Sequence, residues 1–289
     1  MKPTRIFFLT LLAMIAFASN SLLCRLALKQ TSIDAATFTF VRIFSNAAAL
    51  WLIVKMRKRP SSVAAVFDHR TDGNWLSALA LFVYAAAFSF AYVDLSAGTG
   101  ALLLFGAVQA TMILWGLHKG ERIDAIQIVG LTVAVTGLVV LLFPGLSAPP
   151  LIGSSLMLSA GVAWGIYSLR GKQSSNAVTA TAGNFLRAVP FAAVVSIILL
   201  PSAHFDSLGT TYAVISGAVT SGLGYVIWYS ALPSLKAASA ATVQLSVPVL
   251  AATGGILLLG EPITLRYLLA SIAVLGGIAL VVIEKNRAT

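Results

Sequence analysis

The chain has 289 residues, of which 58% are hydrophobic and only 10% charged, with a net charge of +10. Soluble domains carry about a quarter charged residues, so this balance excludes an ordinary soluble domain and points to lipid as the solvent. The single cysteine, Cys24, excludes an intrachain disulfide and a Cys-based metal site, and fits a small apolar packing residue.

A bilayer core of ~30 Å is crossed by a helix of ~20 mainly apolar residues. Ten apolar runs have that character: 6–28, 36–54, 75–93, 98–117, 125–143, 151–169, 177–200, 209–230, 237–259 and 264–283. They predict an all-α polytopic membrane protein of ten transmembrane helices. The first run follows Lys2 and Arg5 and contains Ala16-Phe17-Ala18, so it imitates a signal peptide; it also holds Asn20. The second contains Arg42 and leads into Arg57-Lys58-Arg59-Pro60-Ser61-Ser62, the start of the longest loop. The third carries Tyr84, Phe88, Phe90 and Tyr92, and the fourth Gln109. The fifth ends at Pro144-Gly145. The sixth holds Trp164 and Tyr167 beside Gly161-x-x-x-Gly165, and the seventh holds Asn184 and Arg187. Tyr225, Trp228 and Tyr229 lie in the eighth, Gln244 in the ninth, and Ala273-x-x-x-Gly277 in the tenth.

Basic residues set the orientation. With the N-terminus in the cytoplasm, cytoplasmic segments hold Lys2, Arg5, Lys55, Arg57, Lys58, Arg59, Arg70, Lys119, Arg122, Arg170, Lys172, Lys236, Lys285 and Arg287, while the external side holds Arg25, Lys29 and Arg266. This bias predicts both termini cytoplasmic, which requires an even number of helices.

An internal repeat runs through the chain. A shift of 145 positions brings Ala18 onto Ala163, Arg25 onto Arg170, Phe40 onto Phe185 and Arg42 onto Arg187. Later a shift of 140 brings Leu95 onto Leu235, Gly120-Glu121 onto Gly260-Glu261 and Gly137 onto Gly277. Two five-helix halves are expected, 1–145 and 146–289. An odd helix number makes the second half inverted, a symmetry that places a solute site near the midplane between the halves and exposes it alternately to each side. The repeat also keeps residues 1–28 in the fold, against the signal-peptide alternative.

These residues resemble a known family, the drug/metabolite transporter superfamily in its EamA-type branch. The resemblance rests on Ala18-Ser19-Asn20-Ser21 leading to Arg25, on Phe40-Val41-Arg42, on Leu117-His118-Lys119-Gly120-Glu121, on Leu257-Leu258-Leu259-Gly260-Glu261-Pro262, and on Ser246-Val247-Pro248. The first half departs with Ala107-Val108 in place of that proline. Within the branch the chain looks most like the bacterial aromatic amino acid exporters of the YddG type. The resemblance implies a multi-pass protein of the bacterial inner membrane. It would export aromatic and other neutral amino acids, or related small metabolites, by alternating access. The alternatives are a multidrug or nucleotide-sugar carrier, or an intramembrane enzyme or flippase.

The candidate substrate-binding residues are Asn20, Arg42, Tyr84, Phe88, Gln109, Trp164, Arg187, Tyr225 and Gln244. Charges inside apolar helices are costly and face the protein interior, so Arg42 and Arg187 are candidate ligands for a substrate carboxylate or, alternatively, symmetric structural anchors. Arg42 is close enough to a helix end to snorkel. Buried amides face other helices or a cavity, and the mid-helix aromatics Tyr84, Phe88 and Trp164 suit stacking on an apolar solute. Tyr92, Tyr167, Trp228 and Tyr229, nearer helix ends, are expected in the interfacial belt. Glu121 and Glu261 follow apolar helices and suit hydrogen bonding to free N–H groups at a helix start, with a gate or coupling role as the alternative. All nine acidic residues lie at helix ends or in loops. That placement argues against carboxylate-based proton antiport and for facilitated export or exchange. The small-residue motifs predict close helix approach, within a monomer. The expected partners are a small-molecule substrate and membrane lipid, with no nucleic acid. No cofactor, metal-ligand or enzyme motif is found: His69, His118 and His204 are not spaced as ligands.

Overall fold

The computed structural model describes residues 3–57, 73–120, 125–143, 145, 148–171, 176–235 and 243–285. All regular structure among these residues is helical. The helices are α1 (Pro3–Gln30), α2 (Ala35–Arg57), α3 (Trp75–Ala91), α4 (Ala97–His118), α5 (Ala125–Leu142), α6 (Leu151–Gly171) and α7 (Ala177–Ile198). Helix α8 comprises three contiguous pieces, Ser207–Val214, a π-helical stretch Ile215–Leu223, and Gly224–Ala231. Helices α9 (Ser246–Leu259) and α10 (Leu265–Lys285) follow. Helices α1, α2 and α4 to α7 contain spans long and apolar enough to cross a bilayer, and α3, α9 and α10 are shorter and also apolar. The chain is a multi-pass integral membrane protein.

Polar residues just ahead of the apolar runs start the helices by accepting from free backbone N–H groups. Asn74, Ser96, Asn176 and Asp206 do so for Ser77, Thr99, Thr179 and Gly209. Asp34 Oδ1 accepts from Ala36 and Thr37, 2.9 Å each, to open α2. Gly260, at φ +63°, ends α9 in the left-handed region that glycine enters without a Cβ penalty. The N–H of Glu261 then returns to Gly255 O at 3.1 Å.

Large apolar side chains such as Phe7, Trp51, Ile197, Leu257 and Ile272 cover the outside, where lipid takes the place of water. The interior is rich in alanine, glycine and serine, so helices approach closely. Gly161 and Gly165 of α6 face Ala107 and Thr111 of α4, and a Cβ on Gly277 of α10 would strike the carbonyl of Gly130 on α5. Both small-residue motifs therefore pack helices of this chain together. The principal packed pairs are α5 with α10, α1 with α8, α2 with α8, α3 with α6, α2 with α7, α4 with α6, α4 with α9, and α1 with α9.

Side-chain contacts identify which helix ends lie together. The α1–α2 turn meets the α7–α8 connection through Asp34 and His204, whose N–H reaches Oδ2 at 2.9 Å. Arg25 joins the α3–α4 and α9–α10 turns, and Arg266 Nη1 reaches the carbonyl of Phe143 at the end of α5. These contacts define one end of the bundle, the Asp34 end. At the other, the Asn74 end, Asn184 Oδ1 accepts from Asn74 N–H at 2.8 Å, and Arg170 reaches the start of α3.

One expectation changes here. Tyr92, Tyr167 and Trp228 are buried in the bundle rather than placed in an interfacial belt: Tyr92 Oη donates to Ala97 O at 3.2 Å, Tyr167 Oη to Thr181 Oγ1 at 3.1 Å, and Trp228 packs edge-on to Phe17. Arg25 lies within α1 toward the Asp34 end and is buried, because a carboxylate and two carbonyls receive it. Cys24 is buried, as a small packing residue should be.

Candidate functional site

A cavity of about 30 Å³ lies where α1, α3, α4, α6 and α8 converge. Its walls come from both parts of the sequence: Phe17, Asn20 and Ser21 of α1; Tyr84 and Phe88 of α3; Leu104 and Phe105 of α4; Trp164 of α6; Thr220, Ser221 and Tyr225 of α8; and Gln244 just ahead of α9. A space of this size holds water rather than an amino acid, so the site is contracted around its lining.

The aromatic wall is continuous. The Trp164 ring lies 4.8 Å from Tyr84 and stacks on Tyr225 at 5.4 Å and 21°. Tyr84 meets Phe88 at 5.5 Å, and Phe17 meets Tyr225 at 5.9 Å. The lining also holds a polar cluster. Asn20 Oδ1 accepts from Ser216 Oγ at 2.7 Å and Ser221 Oγ at 3.4 Å, both in the π-helical stretch of α8.

Arg42 stands directly behind the aromatic wall. It is 3% exposed, with its guanidinium 4.6 Å from the centroid of Phe88 and 5.6 Å from that of Tyr84, and Nη2 donates to Tyr84 Oη at 3.3 Å. Nη1 is buried and has no hydrogen-bond partner. Arg42 does not snorkel: it points inward because two aromatic faces and a phenol receive it there.

Of the nine sequence candidates, Asn20, Tyr84, Phe88, Trp164, Tyr225 and Gln244 line the cavity, and Arg42 contacts two of them. Arg187 is not brought there. It is half-exposed, and Nη1 donates to Gly183 O on its own helix at 3.0 Å. Gln109 is buried on α4 but is not part of the lining. Sequence reasoning missed Ser21, Thr220 and Ser221, whose hydroxyls within apolar helices were the available signal. It also missed Phe17, Leu104 and Phe105, which carry no signal in so apolar a chain.

The buried ion pair Arg25–Glu261 lies toward the Asp34 end, with Nε 3.2 Å from Oε1. Glu261 Oε2 accepts from Ala97 N–H at 2.8 Å. The expected contact with a helix start is therefore present, but the helix is α4 rather than the one that follows. Glu121 lies outside the described residues. Among the described residues no group of His, Cys, Asp and Glu could hold a metal.

The model of the EamA-like transporter family matches residues 4–143 and again 151–283. An uncharacterised protein of Pseudomonas aeruginosa is 54% identical over 97% of this chain and 96% of its own length. An uncharacterised transporter of Archaeoglobus fulgidus is 31% identical over 69% of this chain and 73% of its own. A crystal structure of a protein superposes at a TM-score of 0.67 over 99% of each chain with 15% identity, a likeness of fold.

Proposed function

The chain belongs to the EamA-like transporter family; it is a transporter and not an enzyme, and from that premise we propose that it exports aromatic and other neutral amino acids, or related small metabolites. The proposed mechanism is alternating access of the central cavity between two inverted five-helix repeats, 1–145 and 146–289, in a bacterial inner membrane with both termini cytoplasmic. The packing is consistent with that symmetry. Exchanging α1 to α5 with α6 to α10 turns the α3–α6 contact into α8–α1 and the α4–α6 contact into α9–α1, and each of these pairs is packed. Under this orientation the Asp34 end is external and the Asn74 end cytoplasmic.

The observation that carries the substrate class is the buried Arg42 with its free Nη1. A desolvated guanidinium calls for an anion, and a carboxylate takes it with a forked, charge-assisted pair. Tyr84 and Phe88 lie against the guanidinium, so a carboxylate reaching Nη1 leaves the rest of the solute against the aromatic wall. Asn20, Ser21, Ser221 and Gln244 carry side-chain oxygens of the kind that accept from an ammonium group. A nucleotide sugar, with two or more negative charges, is poorly matched, because among the described residues Arg42 is the one cation beside the cavity that is not already paired with a carboxylate. Glu261, the buried acidic residue among those described, is occupied by Arg25 and Ala97, which favours facilitated export or exchange over carboxylate-linked proton antiport.

Counterflow of labelled phenylalanine, leucine and threonine in liposomes tests this. Phenylalanine is expected to accumulate transiently against preloaded unlabelled phenylalanine. Absence of counterflow for all three contradicts the amino acid assignment.

A further inference from the structure

We propose that the Arg25–Glu261 ion pair is the latch of the gate at the Asp34 end, and that it must part for the central cavity to open on that side. The proposal rests on the transporter reading and on the orientation given above, and deepens both.

The pair is a partition between two spaces. Ser21, which lines the central cavity, precedes Arg25 by four residues on α1, so the two share a face one turn apart. On the far side, Glu261 lines a second cavity of about 200 Å³ at the Asp34 end, together with Asp94, Thr99, Pro262 and Tyr267. A solute passing from one cavity to the other along this face meets the pair. The pair also gathers the surrounding elements. Arg25 Nη1 donates to the carbonyls of Tyr92 at 2.9 Å and Val93 at 2.6 Å, beyond the end of α3. Glu261 holds the first N–H of α4. One ion pair thus fastens α1, the α3–α4 turn and the α9–α10 turn, and it joins the first part of the sequence to the second.

The opposite end is fastened differently. Arg170, the repeat counterpart of Arg25, is exposed and donates to the neutral Ser77 Oγ at 3.0 Å and Asn74 Oδ1 at 3.2 Å. Among the described residues it has no carboxylate partner. A neutral, partly solvated contact exchanges readily for water, whereas separating a buried ion pair leaves two charges that must each be hydrated. The outer cavity beside Glu261 is where that water would enter. Breaking the latch should therefore open the Asp34 end.

The test reads accessibility and needs no substrate. A Ser21→Cys substitution in a Cys24→Ala background places a thiol in the central cavity. A membrane-impermeant methanethiosulfonate is applied to intact cells. Ser32→Cys in the same background, at the exposed α1–α2 turn, serves as the reference for that side. With Arg25 and Glu261 intact, the cavity thiol is expected to react far more slowly than the reference. Glu261→Gln, which keeps an acceptor for Ala97, should raise its rate by about tenfold or more as the closed population falls. Arg25→Lys, which cannot hold Glu261 and both carbonyls together, should raise it in the same direction. Rates are read on protein that is monodisperse after extraction; if Glu261→Gln fails that criterion, Arg25→Lys carries the test. Unchanged rates in the folded variants overturn the latch, as does a cavity thiol that reacts as fast as the reference with the pair intact. A positive thiol result beside absent amino acid counterflow would leave the latch standing and remove only the substrate assignment.

Discussion

A guanidinium inside a membrane protein needs electron-rich neighbours, and Arg42 has the rings of Tyr84 and Phe88 and one phenol oxygen. Cation–π contacts of this kind contribute up to about 2 kcal/mol when desolvated, which helps hold the charge without satisfying Nη1. Six of the nine candidate residues read from the sequence line the cavity, because polar or aromatic residues stand out against apolar helices. Arg187 was legible as a charge but not as an outlier: nothing in its local sequence separates a side chain folded back on its own helix from one aimed at a cavity. Asp34 belongs at the same scale. Partial burial raises its carboxyl pKa, but hydrogen bonds from Thr37, His204 and Ala36 outweigh this and hold it below the ordinary value. A carboxyl depressed on folding contributes stability above its unfolded pKa and loses it as pH falls through the folded one. Thermal unfolding in detergent should therefore show Asp34→Asn less stable than the parent at neutral pH, with the gap narrowing below about pH 4. A gap constant down to pH 2.5 would contradict the ionised cap.

At the scale of elements, the helix boundaries were the legible part, since lipid demands long apolar runs and each run is punctuated by a capping residue or a glycine. The π-helical stretch of α8 was not legible. Its sequence, Ile215–Leu223, is as apolar and small as its neighbours, and the register change depends on contacts from other helices. Gly217 lies against the carbonyl of Arg42 and the hydroxyl of Ser45 on α2, where any Cβ would collide. Ser216 and Ser221 are five residues apart, which places them on different faces of an α-helix. The wider i→i+5 turn lets both donate to Asn20. The three side chains should therefore behave as one unit. Asn20→Ala leaves two buried hydroxyls without their acceptor, at about 1–3 kcal/mol for an unsatisfied group. Adding Ser216→Ala and Ser221→Ala should recover part of that loss. Strictly additive losses in unfolding measurements would show the fork to be unimportant.

For the whole molecule, the sequence repeat carried what no single helix could, namely that a cavity is expected where the two halves meet; that Arg25 and Glu261 pair across them was not legible, because the repeat aligns Arg25 with Arg170 and Glu261 with Glu121. What it left out is the state of that cavity. Its contraction to about 30 Å³ depends on how a dozen side chains pack together, and no spacing rule encodes that. Orientation can be checked directly. With Cys24→Ala, Ser32→Cys should label with an impermeant reagent in intact cells, and Lys119→Cys only after permeabilisation. The reverse pattern would invert the direction assigned to the Asp34 end. The central claim, that a carboxylate-bearing solute is carried against Arg42, has a sharper test. Proteoliposomes with the parent protein or Arg42→Gln are compared for counterflow of phenylalanine and of phenethylamine, the same molecule without its carboxylate. The account predicts that the parent carries phenylalanine and not phenethylamine, and that monodisperse Arg42→Gln loses phenylalanine counterflow by about tenfold or more. Equal transport of both solutes by the parent, or undiminished phenylalanine counterflow in Arg42→Gln, would contradict it.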